Sequence, residues 1–142
     1  MVSAAHTVST RVRYPETDRM GVAHHSHFPV WFELGRTEWM RAIGCPYGEM
    51  EDRDGVFFPV VDLGVRYLRS ARYDQLLEIE TCLASMKGVR VRFEYVIRDE
   101  YGSTLATGHT VHASVDPNGK PRRLTGPIRE RLAAGMEMEH NR

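Results

Sequence analysis

Apolar and polar residues alternate at the start of the chain, with Val8, Thr10, Val12 and Tyr14 set against Ser9, Arg11 and Arg13. A period of two puts one set on a buried face and predicts a strand, which Pro15 ends. The period then changes. Phe28, Trp31, Phe32, Trp39, Met40 and Ile43 fall at helical spacing, while Glu33, Arg36, Glu38 and Arg41 meet at i,i+3 on or near the other side. One long amphipathic helix over about 28–43 is predicted. Ser26 is placed to cap it, Pro29 is tolerated in the first turn, and Gly44 with Pro46 stops it. Tyr47 to Gly55 reads as a polar loop.

Four strand-like runs follow without another helix: Val56 to Leu68, Leu76 to Ser85, Val89 to Arg98 and Thr104 to Val115. That order predicts an antiparallel meander. The third run is the clearest, with Val89, Val91, Phe93, Tyr95 and Ile97 against Arg90, Arg92, Glu94 and Arg98, between turns at Lys87-Gly88 and Glu100-Tyr101-Gly102. After a turn at Pro117-Asn118-Gly119, Thr125-Gly126-Pro127 opens a short C-terminal helix near Ile128 to Ala133, and 135–142 is expected to be a loose tail.

The class is α+β, with a five-stranded antiparallel sheet and one long helix in a single domain over 1–142, its core at about 7–132. One helix covers only part of such a sheet. Apolar surface or a strand edge is therefore left for another subunit, and at least a homodimer is expected. Nineteen basic and nineteen acidic residues give a net charge of zero, which argues against nucleic acid or an anionic membrane as partner. No window has the ~20 apolar residues of a membrane span, and Met1 to Thr10 does not read as a signal peptide, so a cytoplasmic location is expected. Cys45 and Cys82 are read as small buried groups, too far apart for a metal motif.

Candidate chemistry is concentrated in the run from Tyr14 to Phe28. Asp18 is ionised at neutral pH, given a reference pKa of about 3.9, and serves as base or nucleophile without activation. Behind it the helix begins near Ser26 to Phe28, where unpaired N–H groups favour developing negative charge. Read without any relative, Asp18 is first a turn residue. His24, His25 and His27 suit zinc by type, but neighbouring side chains at a helix start diverge and no Cys or carboxylate stands at i,i+4, so no metal and no cofactor is assigned.

This element order, together with Tyr14-Pro15-Glu16-Thr17-Asp18, Gly21-Val22, His25 and Trp31-Phe32-Glu33-Leu34-Gly35-Arg36-Thr37-Glu38, resembles the hotdog fold. Tyr67-Leu68-Arg69-Ser70-Ala71-Arg72-Tyr73-Asp74 and Gly108-His109-Thr110-Val111-His112 narrow the likeness to acyl-CoA thioesterases of the 4-hydroxybenzoyl-CoA thioesterase and YbgC type, over about 7–132. The resemblance implies that Asp18 is catalytic and that the His25 backbone N–H polarises the thioester carbonyl. It also implies an acyl-CoA substrate and dimers or dimer-of-dimers tetramers with the site between subunits. His24, where relatives often carry an aromatic residue, and Met20, where glycine is common, bear on substrate fit. His24 and His27 are substrate-binding candidates.

Coenzyme A brings phosphates, and Arg66, Arg69, Arg72, Lys87, Arg90 and Arg92 form a candidate rim, although each alone reads as a solvated cation. His109 and His112 read as structural. His27-Phe28-Pro29 is similar to a hotdog dehydratase motif, but Val30 stands where glycine is expected and Glu33 comes too soon. Glu33 pairs more simply with Arg36. The alternative function is a non-catalytic acyl-CoA-binding or regulatory hotdog module.

Overall fold

A computed structural model describes residues 6–124 and 126–140; Thr125, 1–5 and 141–142 lie outside the described residues. Five strands, β1 (Thr7–Arg11), β2 (Val60–Tyr67), β3 (Leu76–Lys87), β4 (Arg90–Asp99) and β5 (Thr104–Ala113), form one sheet against a helix α1 (Phe28–Ala42). Every strand pairing is antiparallel. A second helix, α2, spans Gly126–His140.

α1 buries Phe28, Trp31, Phe32, Gly35, Arg36, Trp39 and Met40, the stripe its spacing predicts. The sheet answers with Leu77, Ile79 and Leu83 from β3, Val91, Phe93, Tyr95 and Ile97 from β4, and Leu105 and Ala106 from β5. Phe32 stacks on Tyr95 with ring centroids 4.4 Å apart, and Trp39 meets the edge of Phe93 at 5.4 Å. Close approach needs small residues. A Cβ on Gly35 would stand 2.3 Å from Thr81 Oγ1 and 2.8 Å from Ile79, and one on Gly108 would be 2.5 Å from the Phe32 ring.

Strand order corrects the expected meander. The sheet runs β1-β3-β4-β5-β2, so β2 crosses to the far side instead of pairing with β3. β1 already holds the other side of β3, from Thr7 opposite Glu80 to Arg11 opposite Leu76, and the open side of β5 is what remains. β2 thus becomes an edge strand. It also starts at Val60, not Val56, because Pro59 cannot donate to a ladder; Phe57 makes an isolated bridge to Val115.

Three further expectations change. Tyr14 is exposed in a 3-10 turn (Tyr14–Glu16) rather than on a buried strand face, because Glu16 takes the buried position and accepts from Arg13 N at 2.7 Å. The polar loop after α1 is a helical turn at Tyr47–Glu49 running into a π-helical turn at Met50–Asp54, which carries Met50 into the core. α2 continues past Ala133 to His140, where a loose tail was expected. Ala133, Ala134 and Met136 favour helix, and Gly135 lets it lie against Trp39 and Ile43 of the α1 end. Cys45 is buried and Cys82 half-buried. Among the described residues no helix is long and apolar enough to cross a membrane.

The close approach at Gly35 yields a stability prediction. Alanine improves helix propensity by about 1 kcal/mol, but its methyl meets the stiff side chains of Thr81 and Ile79, and overpacking costs about 1–3 kcal/mol. Gly35→Ala should lower unfolding free energy by up to about 2 kcal/mol in urea titrations; a gain in stability would show that α1 can shift freely.

Candidate active site

Between the 3-10 turn at Tyr14–Glu16 and α1 the chain makes a small hairpin. Asp18 N donates to Val22 O at 2.8 Å, His24 N to Glu16 O at 2.9 Å, and Thr17 bridges Ala23. Gly21, at φ 78°, turns the tip. The hairpin is anchored on the segment before β3, since Ala23 N reaches Ala71 O at 2.7 Å and Tyr73 N reaches Gly21 O at 3.2 Å.

Asp18 stands at the exposed tip. Its Oδ1 accepts from Met20 N at 2.8 Å and Val22 N at 3.4 Å, while its Oδ2 accepts nothing from the described residues. One oxygen is held and the other is open. Two residues down the ladder, about 7 Å at a strand's rise, the hairpin ends at His24. There a 3-10 turn, His25–His27, leads directly into α1.

His24 caps that turn, its Nδ1 accepting from Ser26 N at 3.3 Å, and α1 itself starts after His27, whose side chain makes no cap bond, so Ser26 does not cap the helix as expected. An imidazole nitrogen does here what a hydroxyl was expected to do. His27 N donates to His24 O, but the His25 N–H finds no acceptor among the described residues. The carbonyl of His25 is fixed instead, accepting from the Tyr67 hydroxyl at 2.9 Å. Tyr67, whose ring also meets Phe28 edge-on at 5.0 Å, ties the end of β2 to the helix start. Tyr67 belongs to the 67–74 motif, but its role as an anchor has only one local signal in the sequence, a hydroxylated ring at a strand end.

The three histidines are close, with the His24 and His25 rings 4.1 Å apart and those of His24 and His27 6.5 Å apart. Among the described residues no group of three or more His, Cys, Asp or Glu side chains is placed to hold a metal.

The cations of the candidate rim divide into two groups. Arg66 faces outward near the end of β2, opposite Thr107, and Arg69 and Arg72 follow it on the segment that supports the Asp18 hairpin. Lys87 and Arg90 face each other across the β3–β4 turn, and Arg92 follows on β4, paired with Glu94 at 3.1 Å. That turn lies eleven residues along β3 from the hairpin side of the sheet, about 35 Å within one chain.

Behind the α1 face a polar relay crosses the core. Arg36 Nη1 donates to the Tyr95 hydroxyl at 3.2 Å, which bonds Thr110 Oγ1 at 2.5 Å. Thr110 reaches His112 Nε2 at 2.8 Å, and His112 Nδ1 meets Phe58 O at 2.9 Å. A carbonyl only accepts, so Nδ1 carries the proton, and a neutral ring leaves Nε2 to accept. Burial, opposed by the Phe58 bond and aided by the charge of Arg36, lowers the His112 pKa to about 4. Burial also works against the charge on Arg36, but the oxygens of Tyr95 and Tyr47 outweigh it and keep the guanidinium a cation. Glu33, expected to pair with Arg36, lies 3.9 Å from it. On the outer face His109 meets Asp62 at 2.7 Å.

Solved structures of the same shape come from Thermus thermophilus, the hypothetical protein TT1821, and Staphylococcus aureus, a DHNA-CoA thioesterase. The first superposes with a TM-score of 0.86 at 36% identity over 91% of this chain and 98% of its own. The second gives 0.86 at 30% identity over 95% and 92%. In sequence, the Acyl-CoA thioester hydrolase YbgC of Escherichia coli O6:H1 is 34% identical over 120 residues, 83% of this chain and 88% of that one. YneP of Bacillus subtilis is 33% identical over 105 residues, 74% and 75%. Fold and relatives together define a hotdog-fold thioester hydrolase. The model of the thioesterase-like superfamily matches residues 12–135, and the chain belongs to that family.

The buried relay carries a pH prediction. The folded pKa of His112, about 4, lies below the unfolded value near 6.5, so the unfolded chain binds the proton more readily in that window. Its contribution is complete above about pH 6.5 and is lost as pH falls toward 4, a total of about 3 kcal/mol. Urea titrations at pH 7 and 4.5 should show a larger acid loss in the parent than in His112→Gln; equal losses would place the proton elsewhere.

Proposed function

We propose that the protein hydrolyses acyl-CoA thioesters to the free acid and coenzyme A, with Asp18 supplying the reactive oxygen and the His25 backbone N–H receiving the carbonyl oxygen. The observation that carries this reading is the paired geometry of the hairpin: a carboxylate with one oxygen tied and one open, and an unpaired N–H at the start of the helical rod. In this reading the thioester carbonyl lies between them.

As its carbon becomes tetrahedral, charge moves onto oxygen, and a donor already in place stabilises that charge without reorganising. Asp18 Oδ2 either attacks the carbon, giving a mixed anhydride that water then cleaves, or takes the proton of an attacking water. The thiolate leaves readily, since thiols have a pKa near 8.5. The names of YbgC and the Staphylococcus aureus enzyme, both tied to CoA thioesters, support the substrate class.

The site is completed by a second copy. β2 is an edge strand on which Val60, Val61, Leu63 and Tyr67 are all exposed, although Leu63 lies on the α1 side opposite the buried Thr110. Such an edge favours pairing with its own kind. Antiparallel pairing about a two-fold axis sets Val60 of one chain near Tyr67 of the other. It also brings the partner's Lys87 and Arg90 end of the sheet to the side where Arg66, Arg69 and the Asp18 hairpin lie, which reunites the rim for the CoA phosphates. His24 and His27 flank the thioester entry. A cytoplasmic location belongs to this reading.

Asp18→Asn keeps an Oδ1 for the Met20 and Val22 N–H groups and removes the ionised oxygen. It should fold as the parent does and release thiol from acyl-CoAs at least about a hundredfold more slowly. Near-parental turnover by the folded variant would remove Asp18 from the mechanism. Leu63→Lys should halve the mass in sedimentation and abolish thiol release while Asp18 remains; a monomeric parent with full turnover would overturn the shared site.

A further inference from the structure

The reaction just described gives the ring of His24 a place beside the thioester and no task. Yet that ring is held on two sides. Ser26 N donates to its Nδ1 at 3.3 Å, the Ser26 hydroxyl lies 2.8 Å from the same nitrogen, and the His25 ring leans on it with centroids 4.1 Å apart. These contacts also place its hydrogen. A backbone N–H only donates, so Nδ1 is the acceptor and the neutral ring carries its hydrogen on Nε2; a charged ring has one there as well. Nε2 meets no acceptor among the described residues, and an oriented donor therefore stands open.

Its position follows from the hairpin. Thr17 bridges Ala23, and the period of two along that ladder sets Asp18 and His24 on one face while Ala23 packs toward the core on the other. Asp18 and His24 are both exposed. They stand two residues apart along the ladder, about 7 Å, and the His25 N–H follows directly on His24. A thioester carbon bears its oxygen and its sulfur side by side, so a donor to one needs the donor to the other as a close neighbour. A single peptide bond joins them here.

We propose that His24 is a catalytic residue of this site, its Nε2–H donating to the sulfur as that atom becomes a thiolate. The inference rests on the thioesterase reading. The C–S bond breaks, its electron pair stays on sulfur, and the free thiolate takes a proton from water after it leaves. A hydrogen bond to the charged sulfur is stronger than one to the neutral thioester, so it speeds departure without tightening substrate binding.

The test places one acyl group on two thiols, coenzyme A and 4-nitrothiophenol. The acyl group is the one that the parent releases fastest among acetyl-, hexanoyl-, palmitoyl- and benzoyl-CoA. His24→Phe keeps a flat ring against His25 and removes the donor. It should melt with the parent and lose about tenfold or more in kcat on the CoA ester, with KM changed by no more than about twofold. On the nitrothiophenyl ester, whose thiolate leaves without help, parent and variant should agree within about threefold. His24→Ala opens a gap, and imidazole added to it should restore part of the lost kcat on the CoA ester, beyond the rate imidazole gives without enzyme.

A parental kcat in His24→Phe, or a loss carried by KM alone, would overturn the inference. So would a kcat loss that neither the better leaving thiol nor imidazole relieves, since that marks damage to the hairpin or to the His25 N–H. These results leave thioester hydrolysis standing. No thiol release by the parent from any of the four CoA esters would overturn the hydrolase reading and this inference with it.

Discussion

The distance between α1 and the sheet is the constraint on which the molecule depends. Gly35 and Gly108 permit it, one by giving Thr81 and Ile79 room against the helix, the other by letting the Phe32 ring lie on the backbone of β5. With the helix that close, Phe32 stacks on Tyr95 and Trp39 reaches Phe93. The start of α1 is thereby fixed relative to β2, and Tyr67 can reach His25 O. Tight packing in the core thus sets the position of a turn on the surface.

The same closeness accounts for the buried relay. A helix lying on a sheet normally meets it with apolar groups, yet here Arg36 enters the interface and must be satisfied there. Tyr95, Thr110 and His112 pass its hydrogen bonds across β4 and β5 to the carbonyl of Phe58. This joins the middle of α1 to the segment that leads into β2. The edge strand is therefore held at both ends by polar contacts, by Phe58 at its start and Tyr67 at its finish, while its flank stays open.

Much of this was legible in the chain. The stripe from Phe28 to Met40 and the alternation from Val89 to Ile97 follow from burial on one face, so the long helix and β4 stand within a residue or two of where periodicity puts them. Strand order was not legible, because a period of two says which face is buried and nothing about which neighbour pairs. The Tyr47–Asp54 segment misled for a related reason. Its charged residues read as loop, while Tyr47 and Met50, the two side chains that tie it to the core, are too few to show a period. At the hairpin, the positions of Asp18 and His25 were readable as motif. The cap at His24 and the anchor at Tyr67 were not, since both depend on groups brought together only by the fold.

His25 is proposed to act through its main chain, and its side chain lies exposed beside that of His24. Nineteen of the twenty amino acids bring the same N–H to that place; proline alone is barred. What the proposed step requires there is the bend of the backbone. The donor is thus carried by the shape of the main chain, and a change of side chain there leaves it in place.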